Sequence, residues 1–371
     1  MGNIINKISY TYRDLTIVPE VTSRICHRSQ CNPFDENGML PLFTAPMDTV
    51  VNEHNFDLFE SHKINAILPR TVELNTRVEN SKNGKWSAYS LSEFEKVFCN
   101  PNDVIHCDKK LKVLIDVANG HMLCLFDMAK QAKAIYRDNI ILMGGNIANP
   151  NTYIKYVESG FDYVRCSIGT GSGCLSSSNT GIHMPPATLI CDICEIKKNM
   201  MSDKLPKIIA DGGIRNYSDA IKAIALGADY VMIGSVFAQM LESAAPKYFS
   251  SLEWHRLPGD KKMSDLTNIR LVGNAWYGMY KGNEIELGNI SATFYGMASK
   301  EGQIALNGSK TKTSEGIRKE LYVKYTMETW VENFTDYLRS AMSYTDSMTI
   351  DELKEATLVI NSESAIKSVN K

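Results

Sequence analysis

The chain lacks an excess of either charge: 40 lysines and arginines stand against 42 acidic residues, leaving −2 over 371 residues. A nucleic acid or an anionic membrane would call for a basic patch or stripe, so neither is expected as a partner. No apolar run reaches the length of a membrane span, and no segment reads as a secretory leader. The nine cysteines follow no pairing rhythm. That argues against a disulfide framework and for a reducing, cytoplasmic interior. Met1-Gly2 opens like an acylation signal, but Asn6 stands where serine or threonine is wanted. Cys191-x-x-Cys194 sits in an apolar stretch of helical period with Leu189, Ile190 and Ile193, so two buried thiols are expected there.

What is present is a large apolar fraction, 44%, with no low-complexity tract. Short apolar runs at Leu42–Ala45, Asn65–Leu68, Val113–Asp116, Ile140–Met143, Tyr163–Cys166, Ile208–Ala210 and Tyr230–Ile233 alternate with amphipathic stretches, and Trp86–Ala88 adds a fainter eighth. Helices are expected over 54–62, 91–98, 121–136, 151–159, 186–198 and 218–226, with Asn149-Pro150 and Ser218-Asp219 as starts and Gly160 and Gly227 as stops. Uninterrupted apolar strands alternating with helices imply a parallel sheet covered on its faces. Eight such units favour a closed (β/α)8 barrel, in which chemistry gathers at the carboxyl ends of the strands. The chain is read as one barrel domain over 1–371. An irregular insertion and flap over 245–320 contains Trp254, Pro258, Gly259 and Trp276. Amphipathic helices over 331–344 and 350–356 follow, before a frayed end.

The richest segment runs from Cys166 to Met184. Gly169-Thr170-Gly171-Ser172-Gly173 leads straight into Cys174, and Ser176 follows two residues on. Glycines at alternate positions let main-chain groups face a site unscreened, and a cysteine at the mouth of such a loop is a candidate nucleophile. Asp211-Gly212-Gly213 and Gly234-Ser235 each follow an apolar run. Asp211 suits vicinal ribose hydroxyls, and amides of Ser172, Gly213, Gly234 and Ser235 suit a phosphate. Asp116 also falls at a strand end, as a ligand for substrate or cofactor or as a helix cap. Arg28 and Arg70 are candidates for phosphate or for plain solvation. His121 and His183 are the histidines nearest the motifs, and Glu315 gains meaning only near Cys174.

Ala45-Pro46-Met47-Asp48-Thr49-Val50, Asp116-Val117-Ala118-Asn119-Gly120, Gly144-Gly145-Asn146, the Cys174 loop, Asp211-Gly212-Gly213-Ile214-Arg215 and Gly234-Ser235 occur in that order. Together they resemble the IMP dehydrogenase/GMP reductase family across nearly the whole chain. The resemblance implies a homotetrameric barrel in which Cys174 forms a thioimidate at purine C2 during hydride transfer with a nicotinamide cofactor. It implies a monovalent cation such as K⁺ on the carbonyls of Gly169, Gly171 and Cys174, with Ser177 beside them. By the same likeness Gly212, Gly296, Met297 and Ala298 line the base, and Lys312, Ser314 and Gly316 close over it. Arg70, Asp116, Val117, Ala118, Ile168 and Gly169 meet the cofactor, while His27 and Arg28 reach a cofactor on a neighbouring subunit.

Dehydrogenases of this family usually carry paired CBS modules, for which no space is left here. They also use an Arg-Tyr pair on the flap, whereas no arginine lies between Met297 and Glu315. Ser176 and Glu315 stand where the reductase handles the protons of departing ammonia. The resemblance thus implies a GMP reductase converting GMP and NADPH to IMP. The alternatives are a dehydrogenase-type or divergent purine (deoxy)nucleotide oxidoreductase, and a non-catalytic nucleotide-binding barrel. Ser176 replaces a usual threonine and Ala298 a usual serine, and Arg165 and Gly234-Ser235 look more like the dehydrogenase. Lys310 and Lys312 are candidates for a cofactor 2′-phosphate.

Overall fold

Eight short parallel strands organise the molecule. In this computed structural model the described residues are 7–202, 204–249, 265–308 and 312–362. Met1-Gly2, Asn6, Trp254, Pro258, Gly259, Lys310 and most of the expected frayed end lie outside them. The strands are β1 (Leu42–Thr44), β2 (Ile67–Leu68), β3 (Trp86–Tyr89), β4 (Leu111–Ile115), β5 (Ile140–Ile147), β6 (Tyr163–Cys166), β7 (Lys207–Asp211) and β8 (Tyr230–Ile233). From β2 onward each pairs in parallel with the next, and β8 pairs with β1. A parallel bridge from Phe43 to Asn65, just before β2, closes the ring. The (β/α)8 barrel expected from the alternation is what forms.

Side chains alternate in and out along each strand, as the pleat dictates. Phe43, Ile67, Trp86, Leu114, Met143, Ile209, Tyr230 and Met232 fill the barrel. Phe43, Trp86, Tyr163 and Tyr230 meet largely edge-on, with centroids 5.1 to 6.0 Å apart. The outward residues, such as Leu42, Val113, Ile115, Ile208 and Ala210, pack under the helices.

Helices Leu91–Phe98 and Pro186–Lys198 keep their expected bounds, while Phe56–Ser61, Leu123–Tyr136, Thr152–Glu158 and Tyr217–Ala225 start or stop a residue or two away. The helix Leu74–Lys82 was not signalled, because its sequence is almost wholly polar. Arg77 secures it: its buried guanidinium bonds Glu93 at 2.7 Å and the carbonyls of Val72 and Ala88, each also at 2.7 Å. Among the described residues no helix is long and apolar enough to cross a membrane.

The stretch read as an irregular insertion is largely β structure, which corrects that reading. Leu266–Val272, Ala275–Tyr280 and Asn283–Gly288 form an antiparallel meander. Lys247–Phe249, Ile290–Tyr295 and Arg318–Tyr322 form a second antiparallel sheet, with Ile290–Tyr295 central. Trp276, Leu287, Ile290, Ala292 and Val323 give these strands a small core of their own. The flap contains a helix, Lys300–Asn307. Helix Met327–Tyr344 follows, and the second terminal helix stops at Leu353, short of the expected 356. Leu358–Ile360 then pairs with Leu15–Ile17. Asp229, just before β8, accepts from Lys197 at 3.0 Å and Lys354 at 2.7 Å, fastening this terminal segment to the barrel.

Candidate active site

The carboxyl ends of the strands enclose a cavity of about 330 Å³. Its walls come from the loops after β1, β4, β5, β6, β7 and β8 and from the flap sheet. Met47, Met232, Phe294 and Leu306 supply an apolar lining and Asp116, Asp211, Arg70, Arg165 and Glu315 a few charges. An apolar pocket with a handful of fixed polar groups is the usual form of a small-ligand site. A smaller adjoining hollow is lined by Ser167, Ile168, Gly169, Thr170, Gly171, Cys174 and Ser176.

Cys174 lines both hollows. Its loop leaves β6 through Ser167, a non-glycine residue held at φ +136°. That strained backbone is tied by a bond between its own hydroxyl and Thr170. Gly169 sits at φ +77°, and a Cβ there would come within 2.6 Å of Ser177 Cβ, so this fold of the loop requires glycine. The loop is held from the other side by the flap. Leu175 N donates to Glu315 O at 2.7 Å and Ile317 N to Gly173 O at 3.0 Å, a short antiparallel bridge. A Cβ on Gly316 would meet Ser299 N at 2.8 Å, so this register also depends on a bare α-carbon.

The bridge sets three side chains in a line. Cys174 Sγ lies 3.4 Å from Ser176 Oγ, and Ser176 Oγ donates to Glu315 Oε2 at 2.7 Å. Glu315 is 141 residues beyond Cys174, and the flap brings it to the thiol, which is the condition the sequence set for it. The arrangement offers a thiol nucleophile with a hydroxyl–carboxylate path for a proton.

Several amides lining the main cavity have no acceptor among the described residues, those of Ser172, Gly213, Gly234 and Ser235 among them. Unpaired main-chain N–H groups are rare in folded proteins. Four from three loops around one hollow form a cradle for an anion.

Asp211 and Asp116 are joined by a residue that sequence reasoning noted without giving it a role. Arg165 donates through Nη1 to Asp116 Oδ1 at 2.6 Å and through Nε to Asp211 Oδ2 at 2.9 Å. Asn146 Nδ2 adds a bond to Asp211 Oδ2 at 2.6 Å. Burial would lower the pKa of Arg165, but the two carboxylates outweigh it and hold the guanidinium charged. Asp116 is thus an ion-pair partner, and the following helix has Met122 at its cap position. Arg70 lines the cavity with a weak 3.5 Å contact to Asp116 O and a buried Nε that has no partner among the described residues.

Several candidates stand elsewhere. Lys312, Ser314 and Gly316 do not line the cavity: the Lys312 amide bonds Gln303 at 2.6 Å and Ser314 bonds Gly316 O at 2.6 Å. His27 and Arg28 are exposed, and Arg28 pairs with Asp336 at 2.8 Å. His121 is used in structure: it accepts from Ala148 N at 3.2 Å and bonds Thr152 at 2.9 Å, and burial lowers its pKa. His183 is exposed against Ile168 O. Cys194 is half-buried and Cys191 exposed, so the expected pair of buried thiols is not seen.

For a cation, the carbonyls of Gly169 and Gly171 each carry one bond, from Ser177 Oγ and Cys174 N at 2.9 Å, and each keeps a further lone pair. Among the described residues no cluster of three or more His, Cys, Asp or Glu is placed for a metal. Neutral carbonyl oxygens are the donor set that suits a monovalent ion.

Fold and site together describe a (β/α)8 barrel with a thiol, an amide cradle and paired carboxylates at the carboxyl ends of its strands. Residues 105–255 match the family model described as the IMP dehydrogenase / GMP reductase domain. The chain is 32% identical over 242 residues to the inosine-5′-monophosphate dehydrogenase of Borreliella burgdorferi, covering 65% of this chain and 52% of that protein. It is 32% identical over 241 residues to that of Cryptosporidium parvum, covering 65% and 52%. To that of Halalkalibacterium halodurans it is 26% identical over 345 residues, 86% of this chain and 62% of the relative. The matches span about half the length of most of these curated relatives. Residues 105–255 therefore carry the likeness to the IMP dehydrogenase / GMP reductase domain, and IMP dehydrogenases are homologues of the chain.

Proposed function

We propose that this chain is a nicotinamide-dependent oxidoreductase acting at C2 of a purine nucleoside 5′-monophosphate, with IMP oxidised in the forward direction. The relatives' names support that direction, and it replaces GMP reduction as the leading reading. The observation that carries the chemistry is Cys174 at the junction of the two hollows, facing a cavity that also holds the free amides of Ser172, Gly213, Gly234 and Ser235. The free amides of Ser172, Gly213, Gly234 and Ser235 take the 5′-phosphate, Asp211 takes ribose hydroxyls, and Gly296, Met297 and Ala298 flank the base.

A bound nicotinamide dinucleotide accepts or gives a hydride; Asp116, Val117, Ala118, Arg70, Ile168 and Gly169 border the space for it. Cys174 adds to C2 and leaves a thioimidate once hydride has departed from that carbon; water then releases the oxidised nucleotide and restores the thiol. Ser176 and Glu315 carry the proton. Gly169, Gly171 and Cys174 carbonyls, with Ser177 bracing the loop, hold a monovalent cation such as K⁺. The domain over 1–371 is read as a single catalytic unit, covered on the cavity side by Phe294, Gly296, Met297, Ala298, Leu306 and Glu315 of the flap. A homotetramer, in which His27 and Arg28 serve a neighbouring subunit, and a cytoplasmic setting belong to the same proposal.

The second reading is GMP reduction with NADPH, favoured by one observation: the Cys174–Ser176–Glu315 chain suits protonation of a departing amino group, and the flap between Met297 and Glu315 has no arginine. One assay separates the two. Purified full-length protein is given IMP with NAD⁺ or NADP⁺, and separately GMP with NADPH or NADH, with K⁺ present, and near-ultraviolet absorbance is followed. The proposal expects absorbance to rise with IMP and XMP to form. A fall with GMP and release of ammonia gives the reductase, and no change in either arm removes the oxidoreductase reading.

A further inference from the structure

Arg165 joins two parts of the cavity that the proposed function assigns to different ligands. It stands on β6, its side chain only 9% exposed. One end of its guanidinium reaches Asp116, in the loop after β4, at 2.6 Å. The other holds Asp211, at the end of β7, through Nε at 2.9 Å and Nη2 at 2.8 Å. Asp211 Oδ2 thus accepts from Arg165 Nε and from Asn146, with Arg165 Nη2 in ion-pair contact at 2.8 Å. No described residue donates to its Oδ1, nor to Asp116 Oδ2. Each carboxylate therefore has one oxygen engaged by the same rigid cation and one left for a ligand in a shared cavity.

Three charged groups this far from water are costly, and stripping them of solvent is not repaid in stability alone. The planar fork has another consequence. A ligand hydroxyl that fixes Asp211 Oδ1 fixes the carboxylate plane, hence the guanidinium plane, hence the direction in which Asp116 Oδ2 points. A second ligand then meets a group already ordered, and ordering that has been done once need not be done again. We propose that Arg165 is a positioning residue that couples nucleotide binding on the Asp211 side to dinucleotide binding on the Asp116 side, so that each ligand tightens the other. This rests on the reading that a purine nucleotide and a nicotinamide dinucleotide occupy the cavity together.

IMP with a reduced dinucleotide is the useful pair, because it reacts in neither direction of the proposed chemistry. Calorimetric titration of the full chain with IMP, alone and with saturating NADH or NADPH, is expected to show at least a five-fold tightening, and the reverse titration the same factor, as reciprocity requires. In Arg165→Lys the compact ammonium lacks the fork that spans two carboxylates. Each ligand should still bind singly while the coupling factor falls to about one. Asp116→Asn, which keeps the shape but weakens the link, serves as the second variant and should also lose most of the factor. A merely structural Arg165 would weaken both ligands without changing their ratio.

Coupling retained in a folded variant, no coupling in the parent, or loss of both ligands in both variants each overturns the proposal. Failure of the parent to bind either ligand alone is a different result: it removes the proposed function.

Discussion

Cys174→Ala should lose turnover by on the order of 10⁴-fold or more while binding IMP within a few-fold of the parent. Removal of a covalent nucleophile ordinarily costs several orders of magnitude, because the bond it makes has no substitute elsewhere in the site. Affinity should survive because the binding groups come from other loops. Ser172 precedes the thiol, while Gly213, Gly234 and Ser235 belong to the ends of β7 and β8, and none of their amides depends on the sulfur. The alanine also disturbs little of the fold: Cys174 is half-buried, and the bridge to the flap runs through main-chain atoms of Gly173, Leu175, Glu315 and Ile317. Steady-state rates and IMP titration on the same preparation separate the two effects. Normal turnover by the variant would exclude covalent catalysis.

Glu315→Gln should lower kcat by about 10²–10⁴-fold with a smaller change in KM, the range expected when a positioned acid–base group is removed. The amide retains an acceptor for the Ser176 hydroxyl at the observed 2.7 Å but cannot take up a proton. Ser176→Ala should lose a comparable factor, and the double variant should lose little more than either single one, because the two act in series. Effects that multiply instead would show that the serine and the glutamate work separately. Under the second reading the same variants slow ammonia release, so their effect on GMP deamination, if that reaction occurs, reports on the same path.

The barrel was legible in the sequence because its strands are buried on both faces. Continuous apolar runs such as Tyr230–Ile233 announce themselves, and the glycines after them mark the rim. Where burial is achieved by pairing, the signal disappears. Leu74–Lys82 reads as polar because Arg77 is buried through Glu93 and two carbonyls, not through hydrocarbon. The meander over 266–288 shows no clean period because most residues of its first strand face solvent. Its small core uses Trp276 and Leu287, spread over different strands.

The candidate site divides along the same line. Cys174, Asp211, Gly213 and Gly234 stand in motifs legible in one dimension, and the fold gathers them round one cavity. By likeness Lys312, Ser314 and Gly316 close over the base; here the flap bonds them to itself, and only Glu315 of that run lines the cavity. Arg165 is a lone arginine in an apolar strand. Its meaning comes from lying between β5 and β7, where Asn146 and Asp211 stand on either side, and strand adjacency is a property of the closed sheet. The four free amides are likewise invisible in one dimension, since every residue but proline has one.

Central to this account is a bond between Cys174 Sγ and a purine carbon, and acid quenching during turnover tests it most directly. The protein is denatured while IMP and oxidised dinucleotide are being consumed (or GMP and reduced dinucleotide, should that be the active pair), and its peptides are weighed. The account predicts a nucleotide-sized mass increase on the peptide bearing Cys174, lost in Cys174→Ala along with activity. Sustained turnover with that peptide unmodified at every quench time, and undiminished in the alanine variant, would contradict it.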